Sequence, residues 1–282
     1  MIILDGKKLA QEKEQQFKII INNFANFRKP KLIVILIGDN FASEIYIKHK
    51  QRVCETVGIL FELKHFEATI SQEELLKQID ILNNDSTVDG IILQLPLPNS
   101  FDEEKYLQSI LPSKDVDGFH YQNQGKLLQN YGTLIPATPL GVLQLLEHYK
   151  IDVLSKHCVV IGISNIVGKP LANLLINKGA TVTVCQKTTT DLKKYTLQAD
   201  ILFTATGREM LITEDMVKKD STVVDIGITR DSKNGKLVGD VDFDNVKNKV
   251  KYITPVPGGV GPMTISALIE NIIYLYKQHI MN

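Results

Sequence analysis

Six short, unbroken apolar runs constrain this chain more than any other feature. Residues 31–37, 88–95, 157–162, 180–185, 200–204 and 222–227 are rich in Ile, Val and Leu. Runs of this kind suit strands buried on both faces of a parallel sheet. Between them, residues 6–28, 43–57, 71–84, 139–149 and 166–178 carry apolar side chains at helical spacing, and a last helix is expected over 263–280. Strand–helix alternation builds βαβ units, so the fold class is α/β. A length of 282 residues is material for about two domains. Polar interruptions near 115–121 and 150–156 mark candidate boundaries between two α/β lobes, the second built on the βαβ unit at 157–185.

Composition narrows the function classes. Lys+Arg and Asp+Glu number 32 each, so the formal charge is zero. A nucleic-acid binder needs a basic surplus and a membrane-surface protein a polybasic patch, so neither partner is expected. The 44% hydrophobic content supplies a sizeable core and excludes disorder. Cys54, Cys158 and Cys185 form no C-x-x-C pair, which argues against a disulfide framework or zinc ribbon and for a reducing compartment. No metal is expected. The start, MIILDGKK, lacks the long apolar run of a secretory signal, and LIVILI (32–37) is far short of the roughly 20 residues that span a bilayer. A soluble, cytoplasmic protein is the expectation.

HCVVIGISNIVGKPLANLLINKGATVTVC (157–185) reads as a strand, a glycine turn, a helix and a second strand. Gly162 stands where the first strand ends, and Gly168 lets the helix pack closely on the sheet. Between them Ile163, Ser164, Asn165 and Val167 form a turn that offers backbone N–H groups and a helix N-terminus to a pyrophosphate, with side-chain donors from Ser164 and Asn165. The spacing is G-x-S-x-x-x-G rather than G-x-G-x-x-G, and a tight turn without a ligand fits it as well. An NAD site places an acid about 20 residues on, for the ribose 2′-hydroxyl. Here the second strand ends in Cys185-Gln186-Lys187-Thr188-Thr189, with no acid before Asp191. Lys187 suits a 2′-phosphate, unless it is an ordinary solvated lysine. The missing acid tips the choice toward NADP.

In the first lobe, IGDNFASEIYIKHKQRVCETVGI (37–59) follows a buried strand and opens a helix that Asn40 or Ser43 can cap. Tyr46 and Lys50, four apart, share one helical face; spacing alone fits a surface stripe on an amphipathic helix better. Gln94 interrupts IILQLPLP (91–98), where a buried amide costs about 1–3 kcal/mol unless it finds partners. It is either a satisfied core or strand-end glutamine or, at the carboxyl end of a parallel strand, a residue facing the crevice where α/β proteins bind ligands. Asp115 and Asp117 in KDVDGFH suit either a turn or a ligand. TPVPGGVGPMT (254–264) combines stiffness with open backbone space.

The segments GDNFASEIYIKHK, DGIILQLPLP, KDVDGFH, PATPLG, GISNIVGKP, DIGI and TPVPGGVGPMT, in this order, resemble the bifunctional methylenetetrahydrofolate dehydrogenase/methenyltetrahydrofolate cyclohydrolase family over essentially the whole chain. The resemblance implies that Lys50 is the catalytic lysine, Tyr46 the tyrosine beside it and Gln94 the glutamine supporting it. Asp117 matches the aspartate that holds the pterin, and Ser43, Pro257, Gly258 and Gly259 join it on the substrate side. Gly162, Ile163, Ser164, Asn165, Val167, Gly168, Lys187, Ile228 and Thr264 fall on the cofactor side, with loop 258–261 bordering both. It also implies a homodimer and a C-terminal helix that returns to the first lobe. The domains would then be 1–119 plus 263–282 and a Rossmann-like NAD(P)-binding domain over 120–262, with the active-site cleft between them. Ile163 stands where many members carry Arg, Lys187 where Ser is usual, and Ala137 where PCTP has its thiol.

The implied reactions are oxidation of 5,10-methylenetetrahydrofolate with NADP, then hydrolysis of the methenyl product to 10-formyltetrahydrofolate. The second step needs a base near neutrality. An ordinary lysine titrates near about 10.4, and burial beside a cationic substrate would bring Lys50 down into range. An unrelated NAD(P)-dependent dehydrogenase, or a nucleotide-sensing module without catalysis, would share the dinucleotide segment but have no use for Tyr46, Lys50 and Gln94.

Overall fold

A computed structural model describes residues 1–281 apart from 25, 133, 233 and 234. In chain order the elements are β1 (Ile2–Ile3), α1 (Gly6–Asn22), β2 (Lys31–Ile37), α2 (Phe41–Val57), β3 (Leu60–Phe66), α3 (Gln72–Asn84), β4 (Gly90–Leu93), α4 (Glu103–Leu107) and α5 (Tyr121–Leu128). They continue with α6 (Ala137–His148), β5 (His157–Ile161), α7 (Gly168–Asn177), β6 (Thr181–Cys185), α8 (Leu192–Thr196), β7 (Ile201–Thr204) and β8 (Thr222–Asp225). A two-residue pair, β9 (Thr229–Arg230) and β10 (Leu237–Val238), precedes α9 (Phe243–Val246), β11 (Tyr252–Ile253) and α10 (Val260–Met281). All six apolar runs contain strands, although 88–95 is strand only over Gly90–Leu93 and 222–227 only over Thr222–Asp225.

The chain divides into two compact units. One comprises Met1–Gln11, Leu127–Tyr131 and Thr138–Thr264; the other comprises Glu12–Lys126, Gly132–Ala137 and Ile265–Asn282. The expected division differs at residues 1–11, 120–126, 132–137 and 263–264. The first eleven residues belong with the larger sheet, because β1 pairs in parallel with β11. Residues 120–126 stay with the smaller sheet, because buried Asp115 accepts from the amides of Phe119 and His120 and from Asn123 Nδ2.

The unit of the larger sheet has strand order β1-β11-β8-β7-β5-β6, every pairing parallel. Its core packs Val159, Ile161, Leu202 and Val223 against Ile212 and Val246. The order reverses at β5, between β6 and β7, which puts the crevice for a ligand at the carboxyl ends of β5 and β7.

The other unit is a parallel sheet of order β3-β2-β4. Six of the seven β2 side chains are buried, so a continuous apolar run there is a physical necessity. Ser71 caps α3 by accepting from the Glu74 amide at 3.1 Å, and Leu75, Ile79 and Leu82 form its buried stripe. β3 was not expected. It is an edge strand whose sequence, LFELKHF, mixes charge with apolar residues because only part of it is covered.

A buried ion pair ties α10 to this sheet. Asp89 is fully buried and accepts from both guanidinium nitrogens of Arg28 at 2.6 and 2.7 Å, from the Lys31 amide at 2.8 Å and from His279 Nδ1 at 3.0 Å. Burial raises the Asp89 pKa, but the bonds from Arg28, His279 and Lys31 outweigh it and hold the carboxyl below its usual range. Such a group contributes stability above its unfolded pKa, and that contribution is lost as pH falls through the lowered native value. Asp89→Asn is expected to lower the unfolding free energy by about 3 kcal/mol. The measurement is the urea midpoint across acidic pH, where the variant should also lose part of the acid-side slope.

Candidate active site

Lys50 is set by the helix that carries it. Asn40 Oδ1 caps α2 by accepting from the Ser43 amide at 3.0 Å, so Asn40, and not Ser43, is the cap. The buried stripe of α2 runs through Ser43, Ile47, Lys50, Cys54 and Val57. Lys50 therefore falls in the middle of an apolar face and is 4% exposed, which rules out the surface stripe. Ser43 Oγ donates to the Leu95 carbonyl at 3.4 Å, fastening the first turn of α2 to the segment after β4.

Gln94 follows the last residue of β4, and its amide continues the ladder by donating to the Ile35 carbonyl. Its Oε1 accepts from Lys50 Nζ at 3.1 Å, while its Nε2 donates to the Leu95 carbonyl at 2.9 Å. The polar interruption of the apolar run is thus satisfied on both sides. Lys50 Nζ also lies 5.1 Å from the centroid of the Tyr46 ring. Asp117 comes from the segment beside β4, where Ile91 and Asp115 form a parallel bridge. Asp115 spends its oxygens on the following turn. Asp117 is half-buried, and no described residue donates a hydrogen bond to its carboxylate.

The electrostatics follow from burial. Desolvation lowers the Lys50 pKa, with Asp117 and Cys54 opposing. Desolvation pushes Asp117 up to about 6, with Lys50 pulling it down and Asp115 adding to the rise. Cys54, beside Lys50, is pushed up to about 12 by burial, which leaves it an inert thiol. The pair is a buried amine whose pKa is lowered and a half-buried carboxylate that accepts from no described residue. That arrangement can hold a polar N–H edge and move a proton.

In the other unit, β5, α7 and β6 form the expected βαβ. The helix starts at Gly168 rather than 166, with Val167 as an N-cap that makes no side-chain hydrogen bond. A Cβ on Gly168 would overlap the Gly162 carbonyl oxygen, and one on Gly162 would overlap that of Ala205. Only glycine allows this approach. Ser164 Oγ accepts from the Val167 amide at 3.2 Å, while the amides of Ile163, Ser164 and Ile166 donate to no described residue. Ser164 and Asn165 are exposed, and Lys187 stands exposed just past β6. A turn without Cβ atoms, unspent amides and an uncapped helix N-terminus fits a dinucleotide pyrophosphate.

Ile228 is 58% exposed just past β8. Pro257 is exposed, and the Gly258 carbonyl accepts from the Lys7 amide at 2.8 Å. The last helix begins at Val260, three residues before its expected start, so Val260 and Gly261 are helix and not loop; Pro262 sits in the first turn, where a missing N–H is harmless. The Thr264 hydroxyl lies 3.1 Å from Thr138 Oγ1 and 3.3 Å from the Val260 carbonyl, and its one proton serves one of them at a time. Two buried aspartates, Asp225 and Asp240, escaped the reading of the sequence; their only signal is an acid inside each of the apolar stretches TVVDIGI and LVGDVDF. Among the described residues, no group of three His, Cys, Asp or Glu side chains could hold a metal ion.

Family models match along most of the chain: the catalytic domain of tetrahydrofolate dehydrogenase/cyclohydrolase over residues 4–117, and its NAD(P)-binding domain over residues 136–280. The chain belongs to the tetrahydrofolate dehydrogenase/cyclohydrolase family. It is 56% identical to the bifunctional protein FolD of Mesoplasma florum over 282 residues, covering 99% of each chain. The crystal structure of the bifunctional FolD enzyme of Campylobacter jejuni is 48% identical, with a TM-score of 0.97 over 99% of both chains. The Trypanosoma brucei enzyme, solved with NADP cofactor and an inhibitor, is 31% identical, with a TM-score of 0.96 over 100% of this chain and 99% of that one. In this member of the family, Gly168→Ala is expected to push the α7 N-terminus off the Gly162 turn. Nucleotide affinity should fall about 10-fold or more, as read by titration calorimetry, with a lower melting temperature.

Proposed function

We propose that this protein oxidises 5,10-methylenetetrahydrofolate with NADP and hydrolyses the resulting methenyl compound to 10-formyltetrahydrofolate, with Lys50, Tyr46 and Gln94 as the catalytic group. The observation that carries this reading is the buried Lys50 amine, held 3.1 Å from Gln94 Oε1 and facing no full counter-charge except Asp117. Gln94 orients the amine without a negative charge that would restore its ordinary basicity, and the Tyr46 ring limits where it can move. In ring opening, Lys50 takes a proton from the water that adds to the cationic carbon. A cationic substrate lowers its pKa further, so the base is strongest where it is needed. Asp117, with acceptor sites free, takes paired N–H donors from the pterin edge. Ser43, in the same unit, contributes to the folate site, and Pro257, Gly258 and Gly259 are assigned to the substrate side of the larger-sheet unit.

Bound NADP supplies the hydride acceptor. The turn from Gly162 to Gly168, with Ile163, Ser164, Asn165 and Val167, holds its pyrophosphate, while Ile228 and Thr264 line the cofactor site. Lys187 stands where an acid would select NAD, and its ammonium suits a 2′-phosphate. Ile163 offers no charge, so Lys187 carries that preference alone. No helix among the described residues is long and apolar enough to cross a membrane. The compartment proposed is the cytoplasm, on the ground that the folate substrate is a small soluble molecule. The open edge of β3, with Leu60 and Leu63 exposed by 48% and 41%, suits pairing with a second copy into a homodimer.

Lys50→Met is expected to reduce cyclohydrolase turnover about 100-fold or more, followed by loss of methenyl absorbance. In the wild type that rate should rise with pH through the lowered Lys50 pKa. Normal turnover in the variant would remove Lys50 from the mechanism. Asp117→Asn is expected to weaken folate binding about 10- to 100-fold for both activities, measured as KM in each assay; an unchanged KM would make the carboxylate structural.

A further inference from the structure

We propose that Asp225 and Asp240 form a buried carboxylate pair that favours the oxidised, positively charged nicotinamide over the reduced one and releases a proton when the oxidised form binds. This rests on reading the larger-sheet unit as a nicotinamide dinucleotide site.

Asp225 ends β8, and Asp240 follows β10. They are 3% and 0% exposed. Thr204, the last residue of β7, links them: its hydroxyl lies 2.7 Å from Asp240 Oδ2 and 3.4 Å from Asp225 Oδ1, and its single proton serves one at a time. Asp225 accepts from the amides of Gly227 and Asp240 at 3.1 Å each and from that of Val241 at 2.9 Å. Asp240 accepts from the Thr206 amide at 2.6 Å, the Thr206 hydroxyl at 2.9 Å and the Arg208 amide at 3.0 Å. Just past β11, Thr254 Oγ1 accepts the Asp225 amide at 2.7 Å. Every one of these donors is neutral. Among the groups that bond Asp225, from β7, Thr254 and residues 227–241, Asp240 alone is ionisable, and the Arg208 side chain is exposed. Two carboxylates are therefore buried together with hydrogen bonds but no cation among the described residues that bond them, an expensive arrangement unless one is protonated or a positive charge arrives. Burial, with Asp240 adding to it, pushes Asp225 up to about 7.

Topology says where the positive charge would come from. In a doubly wound sheet the pyrophosphate lies at the helix after the first strand and the adenosine ribose at the end of the second. Here those are α7 and β6. The nicotinamide half then extends the other way, over the carboxyl ends of β7 and β8. The segments found there, Ala205–Arg208 and Ile226–Ile228, are the ones the two carboxylates hold. An oxidised nicotinamide ring is a cation and a reduced ring is neutral, so only the former favours the ionised pair. The proton leaves Asp225 for solvent; no covalent bond changes.

The test is titration of the intact protein with NADP+ and with NADPH between about pH 6 and pH 8, either side of the Asp225 value. The ratio of NADP+ to NADPH affinity should rise across that range, by up to about tenfold for each unit by which the bound cation lowers the Asp225 pKa. The 2′-phosphate and Lys187 act on both forms alike and leave the ratio unchanged. Calorimetry in two buffers of different ionisation enthalpy should find more protons released by NADP+ than by NADPH. Asp225→Asn should flatten the ratio; if that chain does not fold, the wild-type ratio and proton count still decide. A ratio independent of pH, equal proton counts, or a folded Asp225→Asn protein with the wild-type slope each overturns the proposal. Failure of both nucleotides to bind overturns the underlying assignment of the site, and this inference with it.

Discussion

An amine with nowhere to put its charge is the constraint around which the smaller-sheet unit is organised. Lys50 has to stay on the buried stripe of α2, because the residues a helical turn either side of it are core. Moving it to solvent would turn Ile47 and Cys54 out with it. Its partners are accordingly few and graded. Gln94 offers a dipole, Tyr46 a ring face, and Asp117 a carboxylate that is itself short of partners. A closer carboxylate would have made a stable ion pair and an ordinary lysine. The weakness of its pairing is what keeps the amine titratable.

The larger-sheet unit solves a different problem with different means. On the proposed function its ligand-facing surface is largely backbone: amides of the Gly162–Gly168 turn and the first turn of α7 would do the work that side chains do around Lys50. Such a site depends on close approach of main chains, hence on missing Cβ atoms. The loops past β7 and β8 need shape as well, and there two buried aspartates hold the main chain, with Gly227 and Gly239 packed where a Cβ would overlap the Asp240 and Asp225 carboxylates. Both solutions lie at the carboxyl ends of parallel strands, where the sheet leaves amides, helix starts and loop side chains converging.

The strands that carry the two sites could be read from the sequence because burial on both faces demands unbroken apolar runs. β3 could not: an edge strand obeys no such demand, and LFELKHF satisfies neither a continuous nor a strictly alternating pattern. The start of α10 is hidden in the sequence because GGVGP, three glycines and a proline, resembles a loop until the backbone shows that Pro262 occupies the first turn. Gln94 was legible as a polar residue in an apolar run. Lys50 is legible only through the family's motifs, since the i, i+4 spacing from Tyr46 fits a solvated face better.

By itself, then, the sequence determined the α/β class, the βαβ at 157–185 and the identity of the family, because period, glycine placement and motif order are local properties of the chain. Only the tertiary structure decided which acids matter and how. Asp115 turned out to brace a turn while Asp117 kept its acceptor sites open. Asp89 gathered Arg28 and His279 from opposite ends of its unit, and Asp225 met Asp240 across a threonine. Ionisation and burial are set by partners distant in sequence, and no local pattern of residues encodes which of those partners will arrive.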